Sequence, residues 1–418
     1  LKTFRNVMAA LVLAATLAVG VTAYAEAEDA GLNHVQVAEE GLSAFLEIIP
    51  QIQQEDGEFG FAETDSLDEV RLGVPYKLHR INPSSLSDYE EGETVFSLIS
   101  KTQMWYFPIV LDDQMKAVLI VDKVKGRWKA VGFGRANLSA KLGKVRRNWP
   151  ASEGYNPLLI SFQGREYLYT VPEKGAYNLT SLTFQEGTYS EKGNTDFSDR
   201  KKLSKVVGRL NSLFKKKLET EQVRPVGSKR ARSARASTDP MGMASLYLGS
   251  YVQQTNWWCW NACSQAIIEH YGYGAQLQVP LLTPQEVIAD YAGMAYTDGN
   301  RLYPDFSANT KCVDTIVEHY TGLSATYHPS AISPSDAWQE ISADQDPFIV
   351  RWLYPNSGHE VVAYAYVYVD PNMCAFCLDP NEPMLAIMDP LTGDRTLCGY
   401  TWVVSGGGHT WNQTLTID

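Results

Sequence analysis

Cysteine is absent from the first 258 residues; all six lie between Cys259 and Cys398. That absence excludes a disulfide framework or a thiolate-held metal from more than half of the 418-residue chain. Basic residues become scarce from Met241 onward, where only Arg301, Lys311, Arg351 and Arg395 stand against 18 acidic residues. So acidic a surface repels phosphate backbones, which excludes nucleic acid as a partner of this region. Beyond the first 25 residues no apolar run is long enough to cross a bilayer as a helix. Residues 30–220 show no internal repeat and no catalytic motif. What remains is an ordinary globular composition, 44% apolar and 20% charged, rich in Tyr (23) and Trp (10).

The chain divides by composition. Lys2 and Arg5 precede an apolar run from Val7 to Val21 and then Ala23-Tyr24-Ala25. This pattern predicts a secretory signal over residues 1–25, cut after Ala25, and hence a secreted protein with no membrane attachment after cleavage. An uncleaved anchor is the plainer alternative. Residues 26–222 alternate helical and strand patterns. Val35, Ala38, Leu42, Phe45, Leu46 and Ile49 form a helical stripe ending before Pro50. Met104–Leu111 and Met115–Val124 read as strands around Asp112-Asp113, Ala136–Asn148 as a helix, and Pro157–Phe162 with Tyr167–Val171 as a hairpin. A basic amphipathic helix is expected over Asp199–Glu221. Residues 223–240 lack apolar periodicity and are rich in Ser, Ala, Gly and Arg. They read as an exposed linker, with Lys229, Arg230, Arg232 and Arg235 inviting trypsin-like cleavage; a solvated or anion-binding tether is the alternative.

The chemistry concentrates in residues 241–418. In YVQQTNWWCWNACSQAIIEHYG, Cys259 stands where polar and aromatic residues give way to a helical pattern through Ala262, Cys263, Ala266 and Ile267. A sulfur at a helix N-terminus meets unpaired amides and the positive end of the helix dipole, which favour the reactive thiolate. Gln253, six residues upstream, is placed to return an amide toward a developing oxyanion; Gln254 is the alternative. A merely buried structural cysteine also fits.

Gln253, Cys259 and Trp260, followed by a small-residue helix, resemble the nucleophile segment of papain-like cysteine peptidases. The short, Trp-rich form looks more like the compact bacterial branch that includes double-glycine processing peptidases. The resemblance covers residues 241–418 only. It implies an α+β fold: a papain-like catalytic domain, with a helix packed on an antiparallel sheet, preceded by a separate α+β prodomain. It also implies an imidazole to pair with the sulfur. His270 lies about three turns along the nucleophile's own helix, too far to reach back, and His319 and His328 sit in unremarkable contexts. His359 follows an apolar strand and the turn Pro355-Asn356-Ser357-Gly358, and opens a second strand, as the family's histidine does. Asp389 ends the apolar strand Leu385–Asp389 and suits the role of orienting the imidazole. Turn capping is its plainer reading, and Asp379 is its competitor.

Trp257, Trp258 and Trp260, with Gly358, are candidates for a substrate groove; for the tryptophans core packing is an equal alternative. Among the remaining cysteines, Cys374 and Cys377 with Cys312 or Cys398 suggest disulfides more than a metal site, and Cys263 a buried spare thiol. No cofactor and no metal is called for. The expected partners are a peptide or protein substrate, the chain's own prodomain as an intramolecular inhibitor, and an activating trypsin-like protease. The expected function is a secreted cysteine endopeptidase made as a zymogen. The alternatives are a transpeptidase, transglutaminase or amidase on the same triad, or a non-catalytic secreted binder with a degenerate peptidase fold.

Overall fold

A computed structural model of the chain describes residues 33–150, 157–162, 166–171, 178–182, 201–202, 204–208, 210–211, 242–255, 257–294, 300, 302, 311–355, 357–368 and 382–418. The signal segment, the basic linker with Lys229, Arg230, Arg232 and Arg235, and Cys374, Cys377 and Asp379 lie outside the described residues.

The N-terminal elements follow the sequence pattern closely. Helix α1 (His34–Ile52) is capped by the Asn33 side chain and buries Val37, Ala38, Leu42, Phe45 and Ile49. It runs through Pro50 instead of stopping before it. Proline in the last turn forfeits a single hydrogen bond, while Ile52 is buried and Gln53 N–H still reaches the Ile49 carbonyl at 3.0 Å. Strands β1 (Arg71–Leu72), β2 (Tyr76–Ile81), β3 (Ile99–Leu111), β4 (Gln114–Val124) and β5 (Arg127–Gly134) follow. Asp112 and Asp113 both take left-handed backbone angles (φ 49° and 59°), the geometry that joins β3 and β4 with the twist of a two-residue hairpin. Helix α2 (Ala136–Asn148) packs on β4. Strands β6 (Leu159–Phe162) and β7 (Glu166–Val171) form the expected hairpin, then β8 (Asn178–Ser181). Within the span expected as a helix from Asp199, Lys201–Lys202 form a strand, β9, which pairs with β8, and residues 204–208 are helical.

In the C-terminal region β10 (Met243–Ser245) leads to helices α3 (Cys259–His270), α4 (Pro284–Ala292) and α5 (Val313–Thr321), then β11 (Ala325–His328). Next come β12 (Phe348–Tyr354), β13 (Ser357–Tyr368), β14 (Pro383–Asp389), β15 (Asp394–Gly399) and β16 (Thr410–Ile417). Strands β16, β12, β13, β14 and β15 are antiparallel neighbours in that order. Helix α3 packs on β13, and its buried Cys263, Ala266 and Ile267 share a core with Val362 and Tyr364.

The fold is mixed α+β, and the two regions that composition separates share one sheet. Strand β5 pairs with β15, so the path continues from β15 through β5, β4, β3 and β2. The core is shared too: Phe45 and Phe133 belong to the same buried cluster as Trp258 and Ile267. Gly134 makes the junction possible. It takes φ +133°, and a Cβ there would fall 2.2 Å from the Arg395 carbonyl oxygen. Gly134→Ala should therefore cost ~1–3 kcal/mol in urea unfolding, by strain and overpacking together. An unchanged midpoint would show that β5 and β15 do not need this close approach.

Candidate active site

Helix α3 starts at Cys259 itself. The N–H groups of Asn261 and Ala262 turn back to the Trp258 carbonyl at 3.1 and 3.0 Å, so the sulfur-bearing residue opens the first turn. The approach to it is braced by Gln285 of α4. The Gln285 amide donates to the Val252 carbonyl at 2.9 Å, and its carbonyl oxygen accepts the Gln254 N–H at 3.0 Å. Asn261 fastens the same helices through the Gln285 carbonyl at 2.7 Å. Gln254 is thereby committed to α4.

His359 lies at the start of β13, opposite Trp352 of β12, and Asp389 is the last residue of β14. The Nε2 of His359 lies 2.7 Å from Asp389 Oδ1. The same oxygen accepts the Leu391 N–H at 3.0 Å, so Asp389 both orients the imidazole and caps its own turn. Burial pushes the imidazole pKa down. The charge and hydrogen bond of Asp389, aided by the Cys259 sulfur, outweigh it and bring the pKa up to about 9. Burial likewise raises the Asp389 carboxyl, but His359 and then Arg135 hold it below its ordinary value. All three groups are enclosed, with Cys259 2%, His359 1% and Asp389 5% exposed.

The sulfur has a further partner beside the imidazole. Cys259 Sγ donates to Glu360 Oε2 at 2.7 Å, and the other Glu360 oxygen pairs with Arg351 Nη1 at 3.1 Å. The imidazole stays near enough for the sulfur to bear on its pKa, yet its Nδ1 makes no hydrogen bond with the described residues. No family model and no curated protein sequence matches this chain.

Cys259, His359 and Asp389 thus lie close together, and Cys263 and Cys398 are placed differently. Both are buried thiols without a disulfide; burial pushes Cys398 up to about 12 and Cys263 well above an ordinary thiol. Cys312 is buried at the cap of α5. Gln253 is also enclosed, its N–H bonded to the Pro390 carbonyl at 2.7 Å. Its side-chain amide donates to the Thr255 carbonyl at 2.7 Å, so it must turn before it can serve an oxyanion. The three tryptophans, Trp257, Trp258 and Trp260, are core residues and present no groove surface. Gly358 lies under the Arg351 guanidinium, where a Cβ would come within 2.8 Å of Nη2. The other histidines serve packing. His270 Nδ1 lies 2.8 Å from the Tyr247 carbonyl, His319 stacks on Tyr291, and His328 bonds Thr416.

Sequence reasoning passed over Glu360, Arg351, Arg135 and His409. His409 stacks on Trp352 with ring centroids 4.3 Å apart and is held neutral, its pKa lowered to about 3 chiefly by burial. Beside it is a cavity of about 20 Å³, room for a water or two, lined in part by Asp389, Trp352 and His409. Arg80, Tyr106 and Arg135 of the N-terminal region line it as well, so that region closes over the Asp389 side of the site.

Proposed function

We propose that the chain is a secreted cysteine endopeptidase held as a zymogen, with a papain-like catalytic part in residues 241–418 and an inhibitory N-terminal part in residues 26–222. The observation that carries this reading is the meeting of Cys259, at the first position of α3, with a His359 imidazole fixed by Asp389 at 2.7 Å. Nucleophile, proton carrier and orienting carboxylate are what acyl transfer through sulfur requires. The Cys259 thiolate adds to a peptide carbonyl carbon, and the π electron pair moves onto oxygen. The Cys259 N–H and a turned Gln253 amide donate to that oxygen. The pair returns, the C–N bond breaks, and His359 gives its proton to the leaving amine. Water then adds to the thioester, passing a proton to His359; the C–S bond breaks and the thiolate, paired with imidazolium, is restored.

The burial of every member of the site supports the zymogen half of the reading. So does the N-terminal lining of the cavity at Asp389. The shared sheet and core imply that cutting residues 223–240 does not by itself release the N-terminal part; it must also be displaced. The test compares the full chain with its Cys259→Ala variant, followed by mass analysis of the linker and hydrolysis of a peptide mixture. The expected result is linker cleavage in the unsubstituted chain alone, with hydrolysis of the mixture appearing in that chain once the N-terminal part is also displaced. Products joined to added amine, without hydrolysis, would favour a transferase on the same triad. Neither product in any form of the chain would leave a binding protein.

A further inference from the structure

The residue that the acyl-transfer scheme leaves unused is Glu360. It is 3% exposed, follows His359 directly, and places one carboxylate oxygen 2.7 Å from the Cys259 sulfur. Successive strand residues face opposite sides of a sheet. Glu360 therefore shares the side of Val362 and Tyr364, against which α3 packs, while His359 shares the side of Trp352. The sulfur lies between two partners that demand opposite protonation states. Toward His359 it is needed as a thiolate facing an imidazolium. Toward Glu360 it must carry the proton, because a carboxylate and a thiolate at such a distance repel.

We propose that Glu360 is a latch on the nucleophile: in the closed chain it holds the Cys259 proton, and Arg351 is the alternative partner that takes the carboxylate when the sulfur turns to His359. The hairpin register sets Arg351 directly opposite Glu360, and the guanidinium already touches the other oxygen at 3.1 Å. The swing needs no new residue; the carboxylate exchanges Sγ–H for a second guanidinium N–H. The sulfur's proton leaves to solvent water, because His359 already carries both ring protons in the neutral range, and the thiolate that remains pairs with its Nδ1–H. Gly358 keeps the space that Arg351 occupies. The other titratable groups around the sulfur are His359 of β13, Asp389 of β14 and Cys263 of α3, with Arg135 acting through Asp389.

The inference rests on the peptidase reading, and its test separates the two. The thiolate absorbance of the full chain is titrated in the ultraviolet, each variant being read against the same variant carrying Cys259→Ala. Glu360→Gln is expected to lower the apparent thiolate pKa by ~1 unit or more, the effect of removing one adjacent like charge. Glu360→Asp keeps Arg351 paired but withdraws the carboxylate by one methylene, and should move the pKa the same way by less. Adding His359→Ala to Glu360→Gln should return it at least to its starting point. A pKa unchanged or raised in both Glu360 variants overturns the latch. If His359→Ala alone still raises the pKa, the Cys–His pairing survives that failure. If His359→Ala moves it in no background, the peptidase reading falls and the latch with it.

Discussion

If residues 241–418 act as the proposed cysteine peptidase, replacing His359 with alanine is expected to cut kcat/KM by ~10³-fold or more, because members of such a triad act as a unit. The pH profile makes the expectation sharper. With its pKa brought to about 9, His359 holds its proton throughout the neutral range and loses it as pH rises through about 9. The acid that must protonate the leaving amine disappears with that proton, so activity should fall on the alkaline side. Asp389→Ala should move this alkaline limb to lower pH, since burial would then be opposed only by the sulfur. The same pair contributes to stability with a definite sign. A histidine pKa raised above its unfolded value stabilises fully below about 6.5, and the contribution is lost between there and about 9. Retention of more than a tenth of the activity by His359→Ala, or an alkaline limb unmoved by Asp389→Ala, would count against the assignment.

Cys259, His359 and Asp389 were legible because each sits at a local transition that patterns report. Cys259 marks loop to helix, His359 is the third residue of a strand that follows a turn, and Asp389 marks strand to turn. Glu360 was hidden by the same logic. In an apolar strand it reads as one more alternating position, and only its partners give it meaning. One clue was present: a hairpin that sets Trp352 against His359 also sets Arg351 against Glu360, an opposite-charge pair across the strands. The union of β5 with β15 was beyond reach, because an edge partner about 260 positions away leaves no local periodicity. Gly132 and Gly134 weaken β5 as a strand and mark the close backbone approach, but they do not say to what. The tryptophans around Cys259 show the limit from the other side. Their amphipathic character suits a groove or a core equally, and enclosure by both regions decides for the core.

Arg395→Met should destabilise the full chain by ~3–5 kcal/mol, the cost of removing one partner from a buried ion pair. Arg395 lies on β15, where the two regions join. Its Nη1 meets Glu55 at 2.9 Å and Glu58 at 3.3 Å, both from the N-terminal region, and its Nη2 donates to the Leu248 carbonyl. Glu58 is held from the other side by the Tyr364 hydroxyl at 2.7 Å and by the Gln54 N–H at 2.6 Å. Without the guanidinium, the buried Glu58 carboxylate is left beside the partly exposed Glu55 with no positive charge between them, and a buried carbonyl loses a donor. Arg395→Lys keeps the charge but not the fork, and should cost less. Glu58→Gln, added to Arg395→Met, should recover part of the loss, and the coupling between the two sites measures the pair itself. Urea unfolding reads all of these. A loss below ~1 kcal/mol, within the range of exposed pairs, would mean that the pair is not effectively buried. Because this network ties the covering region to the strand beside Asp389, the same variant should also make Cys259 more accessible to iodoacetamide. A destabilised chain whose Cys259 stayed equally protected would separate the strength of the joint from the closure of the site.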